Sequence, residues 1–322
     1  MLDSVLWFAG VVTGTLTLLM ALSYATDYTF TTIDVPYPGA SNTIITGLND
    51  RDALVGLYLD AGGRDQGFLR HGRATQVLLN VTPQAINKLG TIIGWFVSGH
   101  LQGFVFQNGT FTPLNVPPAR PLDDPPTLLT EAISVNDAGV IVGDYRSGVD
   151  RNFHGFRYDP VTKQYTTLDW PGATSTSLTA INNKGQIVGF YFDAQSHFHG
   201  ILVDGAQITE VQVPGIAQPE FCGLTNDGTI AGNDAEEQAG FVLKSDVVQV
   251  IEVPGSTLTE LSGIRHDGVL YGRYIDAGGV NHGFVATPNG APLVHHLGQG
   301  RRNRSLVAMD CPAGSKRWAC RR

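Results

Sequence analysis

A nine-residue element that recurs six times constrains the fold of this chain more than any other feature of its sequence. Its plan is apolar, Asn, polar, any, Gly, any, apolar, apolar, Gly. Clear copies occupy residues 86–94, 135–143 and 181–189, and weaker copies occupy 48–56, 224–232 and 264–272. An Asn-led turn with a glycine where positive φ is needed predicts a β-hairpin. The first copy has Asp52 in place of that glycine, and Asp tolerates the left-handed conformation better than most residues.

Further strand signals follow each hairpin. An aromatic residue lies two positions after the final glycine in five copies, a polar-Gly-Phe-like motif opens another strand, and most units then have a strand that ends at proline. The final glycines are 38, 49, 46, 43 and 40 residues apart, so the loops vary in length. Four short strands in each unit predict an all-β fold, a six-bladed β-propeller. A β-solenoid and a seven-bladed propeller remain alternatives.

The ends of the repeat region predict how such a ring closes. Residues 28–35 form a proline-ended strand ahead of the first unit, and we expect them to complete the blade of the sixth unit. Residues 292–297 compete for the same place, and residues 77–81 are another candidate for an outer strand. Seven segments thus compete for six places.

The strands at 31–36 and 166–172, the hairpin INNKGQIVGFY at 181–191 and the HGF tripeptides at His154 and His282 resemble the bacterial extracellular repeats called the HAF family. The resemblance spans residues 27 to about 291. It implies export and a repeat fold, and it implies no enzymatic activity. Histidine stands in only three of the six copies of the tripeptide, which argues against a histidine ligand shared by all units.

Residues 1–25 differ from the repeats. Residues 4–24 carry no charge and end in the small residues Ala21, Ser23 and Ala25, which predicts a signal peptide cut after Ala25 and a secreted or periplasmic protein. The alternative is a membrane anchor through residues 5–24. The expected domains are therefore this leader, a repeat domain at 26–300 and a basic, disordered tail at 301–322.

Charge and cysteine content limit the choice of partners. Residues 26–300 contain 27 acidic and 14 basic residues, so the body would repel phosphate backbones, and no nucleic-acid partner is expected. Cys222 is expected to be a small buried apolar residue. Cys311 and Cys320 lie in the tail and either form a disulfide in an oxidising compartment or stay free.

Acidic residues recur four positions after the final glycine of the hairpin. Asp60, Asp193, Glu236 and Asp276 stand there, with Ser98 and Ser147 in the other units. If the units are equivalent, these side chains lie on one rim, where they would bind Ca²⁺ or cationic groups of a partner through oxygen ligands. The alternative is that they only begin loops. No cofactor is predicted, Ca²⁺ being the one candidate ion, and no catalytic residue can be named.

The histidine and aromatic residues also allow either a binding role or a structural role. His197 and His199 alternate along a strand and would bind zinc with a distant carboxylate, or else His199 bonds to a neighbouring blade. Recurring tyrosines at 58, 145, 191 and 274 are expected to pack between sheets, whereas Trp170 breaks the register and is a candidate for a ligand-binding surface.

The sequence therefore predicts a monomeric, non-enzymatic binding or scaffold module whose partner is a protein or a glycan. The alternative is a hydrolase or lyase with carboxylates at the axial channel, and a purely structural surface repeat is a third hypothesis.

Overall fold

A computed structural model of the protein describes residues 28–117, 127–234 and 236–289. These residues form 24 β-strands that make six four-stranded antiparallel blades. The predicted leader, the basic tail, Cys311, Cys320 and residues 292–297 lie outside the described residues. Among the described residues, no helix is long and apolar enough to cross a membrane.

The blades follow one another along the chain. Blade 1 is β2 (Ser41–Leu48), β3 (Ala53–Leu59), β4 (Asp65–His71) and β5 (Ala74–Leu78); blade 2 is β6 (Thr82–Ile86), β7 (Ile92–Ser98), β8 (His100–Gln107) and β9 (Thr110–Leu114). Blade 3 is β10 (Leu129–Val135), β11 (Ile141–Arg146), β12 (Phe153–Asp159) and β13 (Gln164–Thr167); blade 4 is β14 (Ser175–Ile181), β15 (Ile187–Phe192), β16 (Phe198–Asp204) and β17 (Gln207–Glu210). Blade 5 is β18 (Pro219–Leu224), β19 (Ile230–Asp234), β20 (Ala239–Lys244) and β21 (Val247–Ile251); blade 6 is β22 (Leu258–Ile264), β23 (Leu270–Ile275), β24 (Asn281–Pro288) and β1 (Tyr28–Ile33).

The blades close into a ring around a central axis. The first strand of each blade packs against strands of the blade before it, and β2 of blade 1 packs against β23 and β24 of blade 6. The described chain is thus a six-bladed β-propeller, as the repeat predicts. The solenoid and the seven-bladed ring do not describe it.

The N-terminal strand closes the ring. β1 pairs antiparallel with β24, from Tyr28 opposite Pro288 to Ile33 opposite Gly283. The outer strands of the other five blades are β5, β9, β13, β17 and β21. The expectation that residues 28–35 complete the sixth blade is confirmed, and residues 77–81 overlap β5, the outer strand of blade 1.

Six hydrophobic clusters lie between neighbouring blades, one at each junction. The residue after the glycine of the polar-Gly-Phe motif is buried in each: Phe68, Phe104, Phe156, Ile201, Phe241 and Phe284. The blades are therefore held together by apolar burial that the repeat supplies once per unit.

The final glycine of the hairpin permits a close approach between two strands. A Cβ at Gly143 would lie 1.9 Å from the main-chain oxygen of Glu131, and a Cβ at Gly189 would lie 2.1 Å from that of Ser177. Each glycine faces the β-bulge of the first strand in its blade. Because no side chain fits there, glycine recurs.

The asparagine of the hairpin joins one blade to the next. Its Oδ1 accepts main-chain N–H groups two and four residues ahead, as Asn136 does from Ala138 and Val140. Its Nδ2 donates to a main-chain carbonyl of the following blade, and this occurs at Asn49, Asn87, Asn136 and Asn182. The residue is therefore both a turn cap and a link in a ring around the axis. Asp52 takes the left-handed conformation of the missing glycine, with φ of 56°.

Candidate functional site

The two faces of the propeller differ in what they carry. The face that we call the hairpin face has the turns between the first and second strands and between the third and fourth strands of each blade. The opposite face, the loop face, has the turns between the second and third strands and the connections from one blade to the next. The first strands of all six blades line the axial channel that joins the two faces.

Three of the four acidic residues predicted for a rim lie in turns of the loop face. The Oδ1 atom of Asp60 accepts the main-chain N–H groups of Gly62 and Arg64, and Asp193 and Asp276 cap their own turns in the same way. Hydrogen bonds from Arg64 lower the pKa of Asp60 to about 2. The three carboxylates lie in separate blades and act as turn caps, as their alternative interpretation predicts.

Glu236 does not take the equivalent position. In blade 5 the turn begins two residues earlier, so Asp234 is the cap and accepts the main-chain N–H of Glu236 at 3.0 Å. The exposed side chain of Glu236 accepts from Gln218 Nε2 at 3.4 Å. Within the described residues, no group of three or more His, Cys, Asp or Glu side chains could hold a metal ion. A Ca²⁺-binding role of the rim stays a prediction.

The histidines of the HG motifs each lie between two carboxylates of their own blade. His154 Nδ1 is 2.8 Å from Asp169, and its Nε2 is 3.1 Å from Asp150. His282 lies in the same way between Asp34 and Asp276, and His199 between Glu210 and Asp193. The expectation that His199 bonds to a neighbouring blade is wrong, because both of its partners belong to blade 4.

Protonation of His154 and His282 is favoured by the carboxylates beside them. Burial opposes the charge of His154 and of His282, but Asp169 with Asp150, and Asp34 with Asp276, raise the pKa of each histidine overall. Burial also opposes ionisation of Asp193, yet hydrogen bonds from His197 and His199 lower the pKa of that carboxyl to about 2. The His154 and His282 clusters therefore become salt bridges as the pH falls through the raised pKa of each histidine.

Three of the four recurring tyrosines pack on these histidines, whereas Tyr58 packs on Tyr37 and Phe68. Tyr145, Tyr191 and Tyr274 stack on the histidines at centroid distances of 5.3, 4.7 and 5.1 Å. Trp170 lies in the connection from blade 3 to blade 4 and stacks on Tyr191 of blade 4. Their ring centroids are 4.8 Å apart, with an interplanar angle of 4°. Trp170 is half-buried in the apolar cluster between blades 3 and 4, so its expected role as a ligand-binding surface gives way to packing.

The axial channel has a cavity at each end. The cavity at the hairpin face has a volume of about 120 Å³ and is ringed by the linked asparagines. The cavity at the loop face has a volume of about 380 Å³, and every blade contributes one residue at an equivalent position of its first strand: Thr46, Gln84, Ile133, Thr179, Cys222 and Ser262. Cys222 also lines the hairpin-face cavity, and burial raises the pKa of its thiol.

Carboxyl groups surround the loop-face mouth of the channel. Glu131, Glu220 and Glu260 take the same position in the first strands of blades 3, 5 and 6, and Glu220 and Glu260 line the cavity. Their cross-strand neighbours are polar as well: Asp144, Asn233 and Arg273. Arg273 Nε donates to Glu260 at 2.8 Å.

The pKa of Asp144 is raised well above its usual value. Its side chain is buried, Ser177 of blade 4 donates to Oδ2 at 2.5 Å, and the carboxyl group of Glu131 is its other hydrogen-bond partner. Burial, and then the charge of Glu131, raise the pKa of Asp144 to about 8, although the Ser177 hydrogen bond acts in the opposite direction. The Asp144–Glu131 pair therefore retains a proton to a higher pH than an isolated carboxyl group does.

Sequence reasoning missed the axial carboxyl groups. Asp144 directly follows a final glycine, at a position that the other units fill with Leu57, Trp95, Phe190, Asn233 and Arg273. An acid at a position that is apolar in half of the copies was the available signal.

The comparisons with known proteins give only distant structural similarity. No protein-family model matches the sequence, and no curated protein matches it. A virginiamycin B lyase from Staphylococcus aureus with quinupristin has 10% identity and a TM-score of 0.48, covering 81% of this chain and 99% of its own. The lectin from Aleuria aurantia, a six-bladed β-propeller with a fucose recognition mode, has 10% identity and a TM-score of 0.45, covering 79% and 98%. Neither similarity supports an argument about the ligand or reaction of this chain.

Proposed function

We propose that this protein is an exported, non-enzymatic binding module whose ligand enters the axial cavity on the loop face. One observation carries the proposal. All six blades contribute side chains to a cavity of about 380 Å³, and the chemistry of those side chains differs from blade to blade. A volume of this order matches a small molecule or a single side chain of a partner.

The contrast between repeated and varied positions supports this site. The recurring glycines, phenylalanines and asparagines are buried or hydrogen-bonded within the ring, so folding alone accounts for them. The residues that face the cavity are apolar in blade 3 at Ile133, amide in blade 2 at Gln84, and hydroxyl in blade 6 at Ser262. Variation among otherwise equivalent units provides different contacts around one ligand.

A cavity-filling substitution tests the site. Thermal unfolding of wild type and of Ser262→Trp is measured with a panel of monosaccharides, amino acids and amines. We expect at least one compound to raise the Tm of wild type and not that of the variant. Val161→Trp is the matched control, because Val161 is 87% exposed, and it should respond like wild type. A panel whose stabilising members act equally on all three proteins would overturn the assignment of the cavity.

Export is tested separately. The predicted leader gives a mature chain that begins at Thr26, and mass spectrometry of the protein from the culture medium or periplasm measures its mass. A full-length protein in the membrane fraction would support the anchored alternative.

A hydrolase or lyase activity is the second candidate, because the buried Asp144 has a raised pKa and lies directly opposite a second carboxyl group, Glu131. Asp144 and the neighbouring Glu131 could act as acid and base. Turnover of chromogenic glycosides and esters is the test. An activity that Asp144→Asn lowers at least about 100-fold would support the enzyme, since general acid catalysis contributes on this scale. Activity that survives this substitution would contradict it.

A further inference from the structure

We infer that the axial cavity on the loop face binds a small organic ammonium ion, held by the carboxylates of Glu220 and Glu260 beside the ring of Phe190. The inference rests on the proposed function, and it names the chemical class of the ligand. All three side chains line the cavity.

The charge balance at the mouth favours a cation. Six equivalent positions of the first strands, one in each blade, meet there and include Glu131, Glu220 and Glu260. The six positions opposite them in the second strands include Asp144 and Arg273. Among these twelve described positions four residues are acidic, and Arg273 is the only basic one. Arg273 is already hydrogen-bonded to Glu260. An added positive charge would therefore be stabilised at this mouth.

The groups that would hold the ion are accessible and of the right kind. Glu220 is exposed, and the side chain of Glu260 is 44% exposed, so a ligand reaches both from the loop face. Phe190 provides an aromatic wall, which attracts ammonium groups when water is partly excluded. Glutamates and an aromatic ring within one cavity are the combination that recognises alkylammonium ions.

Asp144, beside the mouth, shows the same excess of carboxyl groups over basic side chains, because its charged neighbour is another carboxyl group. It is only 6% exposed, and it lies directly across the strand pair from Glu131. The charged group that faces it is Glu131 on β10, and the polar group is Ser177 on β14. Burial and the carboxyl group of Glu131 raise the pKa of Asp144. A bound cation would favour its ionisation.

A metal ion fits the site less well. Within the described residues there is no cluster of three His, Cys, Asp or Glu ligands. A hard cation such as Ca²⁺ takes six to eight oxygen ligands, whereas an alkylammonium ion needs only a few acceptors and an apolar wall.

Calorimetry with defined probes tests the inference. The mature chain is titrated at about pH 7 with tetramethylammonium chloride and butylammonium chloride, and with tert-butanol as a neutral probe of similar size. We expect the ammonium ions to bind more tightly than tert-butanol. The Glu220→Gln/Glu260→Gln variant should raise their Kd at least about tenfold. Asp246→Asn is the matched control, because it removes a negative charge from a blade 5 turn on the hairpin face, and it should leave the Kd unchanged.

The same titration in two buffers of different ionisation enthalpy measures proton release. We expect up to one proton to be released per ammonium ion bound to wild type and none from Asp144→Asn. Tert-butanol that binds as tightly as the ammonium ions, or equal effects of the Gln double variant and Asp246→Asn, would overturn the inference. A neutral compound that binds wild type and loses its binding only in Ser262→Trp would support the proposed binding function and contradict an ammonium ion as the ligand. A Ser262→Trp variant that binds every ligand like wild type would remove both.

Discussion

Arg265 Nη1 donates to the main-chain carbonyl of Asn49 at 3.2 Å and pairs with Asp52 at 2.7 Å, linking the sixth blade to the first across the seam of the ring. Arg265 stands at the position that the ring asparagine takes in blades 1 to 4 and that Thr225 takes in blade 5. Its side chain is only 14% exposed, so these bonds are partly shielded from water. The seam is thus closed twice, by this contact on the hairpin face and by β1 at the outer edge of blade 6.

We expect Arg265→Ala to weaken the seam. The substitution removes the donor to Asn49 and leaves Asp52 and Asp267 without their cation, which should lower the free energy of unfolding by about 1 to 3 kcal/mol. Denaturant unfolding followed by fluorescence measures this. Arg73→Ala is the control, because Arg73 is exposed, and its effect should stay within about 0.5 kcal/mol. Equal effects of the two substitutions would show that the contact adds nothing to closure.

Asn136→Ala should be more damaging than the loss of an ordinary surface hydrogen bond. Asn136 is 6% exposed, accepts two N–H groups of its own turn and donates to Asn182 of the next blade. Removing it leaves buried main-chain groups without partners, at a cost of about 2 to 4 kcal/mol. Asn183→Ala, one position along in the next hairpin and exposed, is the comparison. A smaller loss at Asn136 than at Asn183 would contradict the ring as a stabilising element.

The repeat predicted the fold well because each recurring residue has a local physical task. The turn asparagine and the close-approach glycine at 143 follow from local geometry that a single unit reveals. The axial site could not be predicted in this way. It depends on which side chains meet across blades, and a turn that starts two residues early moved Glu236 out of the predicted rim. Asp144 stood out only after the register of Glu131 against it was known.

Removal of β1 should open the ring. A chain that begins at residue 36 lacks the partner of β24 and exposes the edge of that strand, which favours aggregation. We expect a Tm lower by at least about 5 °C than that of a chain that begins at residue 26, and more aggregate in size-exclusion chromatography. A synthetic peptide of residues 26–36 should restore the Tm, and a scrambled peptide of the same composition should not. Unchanged stability without β1 would contradict its role in closure.

The cluster of His154 predicts a stability difference that depends on pH. Burial opposes its charge, but Asp169 and Asp150 raise its pKa above the unfolded value. The stabilisation is therefore fully present below the unfolded pKa and is lost as the pH rises through the folded pKa. We expect Asp169→Asn to lower the free energy of unfolding by on the order of 1 kcal/mol at about pH 5.5, a small value because the partly exposed pair is screened by solvent. At about pH 8.5 the loss should be smaller, because His154 is then less protonated. In a His154→Gln background, Asp169→Asn should have the same effect at both pH values, and a difference that persists there would assign the titration to another group.

Asp144 should make the free energy of unfolding depend on pH through burial of a carboxyl group. Burial raises its folded pKa to about 8, far above that of an unfolded Asp. Between about pH 4 and about pH 8 the folded state holds a proton that the unfolded state has lost, so stability falls by up to about 1.4 kcal/mol per pH unit. Asp144→Asn keeps the shape and an acceptor for Ser177 but cannot ionise. We expect the variant to lose this slope and to become more stable than wild type as the pH approaches 8. Guanidinium unfolding of both proteins across this range measures the difference, and Asp246→Asn, which changes an exposed turn carboxylate, should retain the wild-type slope. Parallel curves for wild type and Asp144→Asn would mean that Asp144 is ionised at neutral pH, and the proton release expected on binding of an ammonium ion would then fail as well.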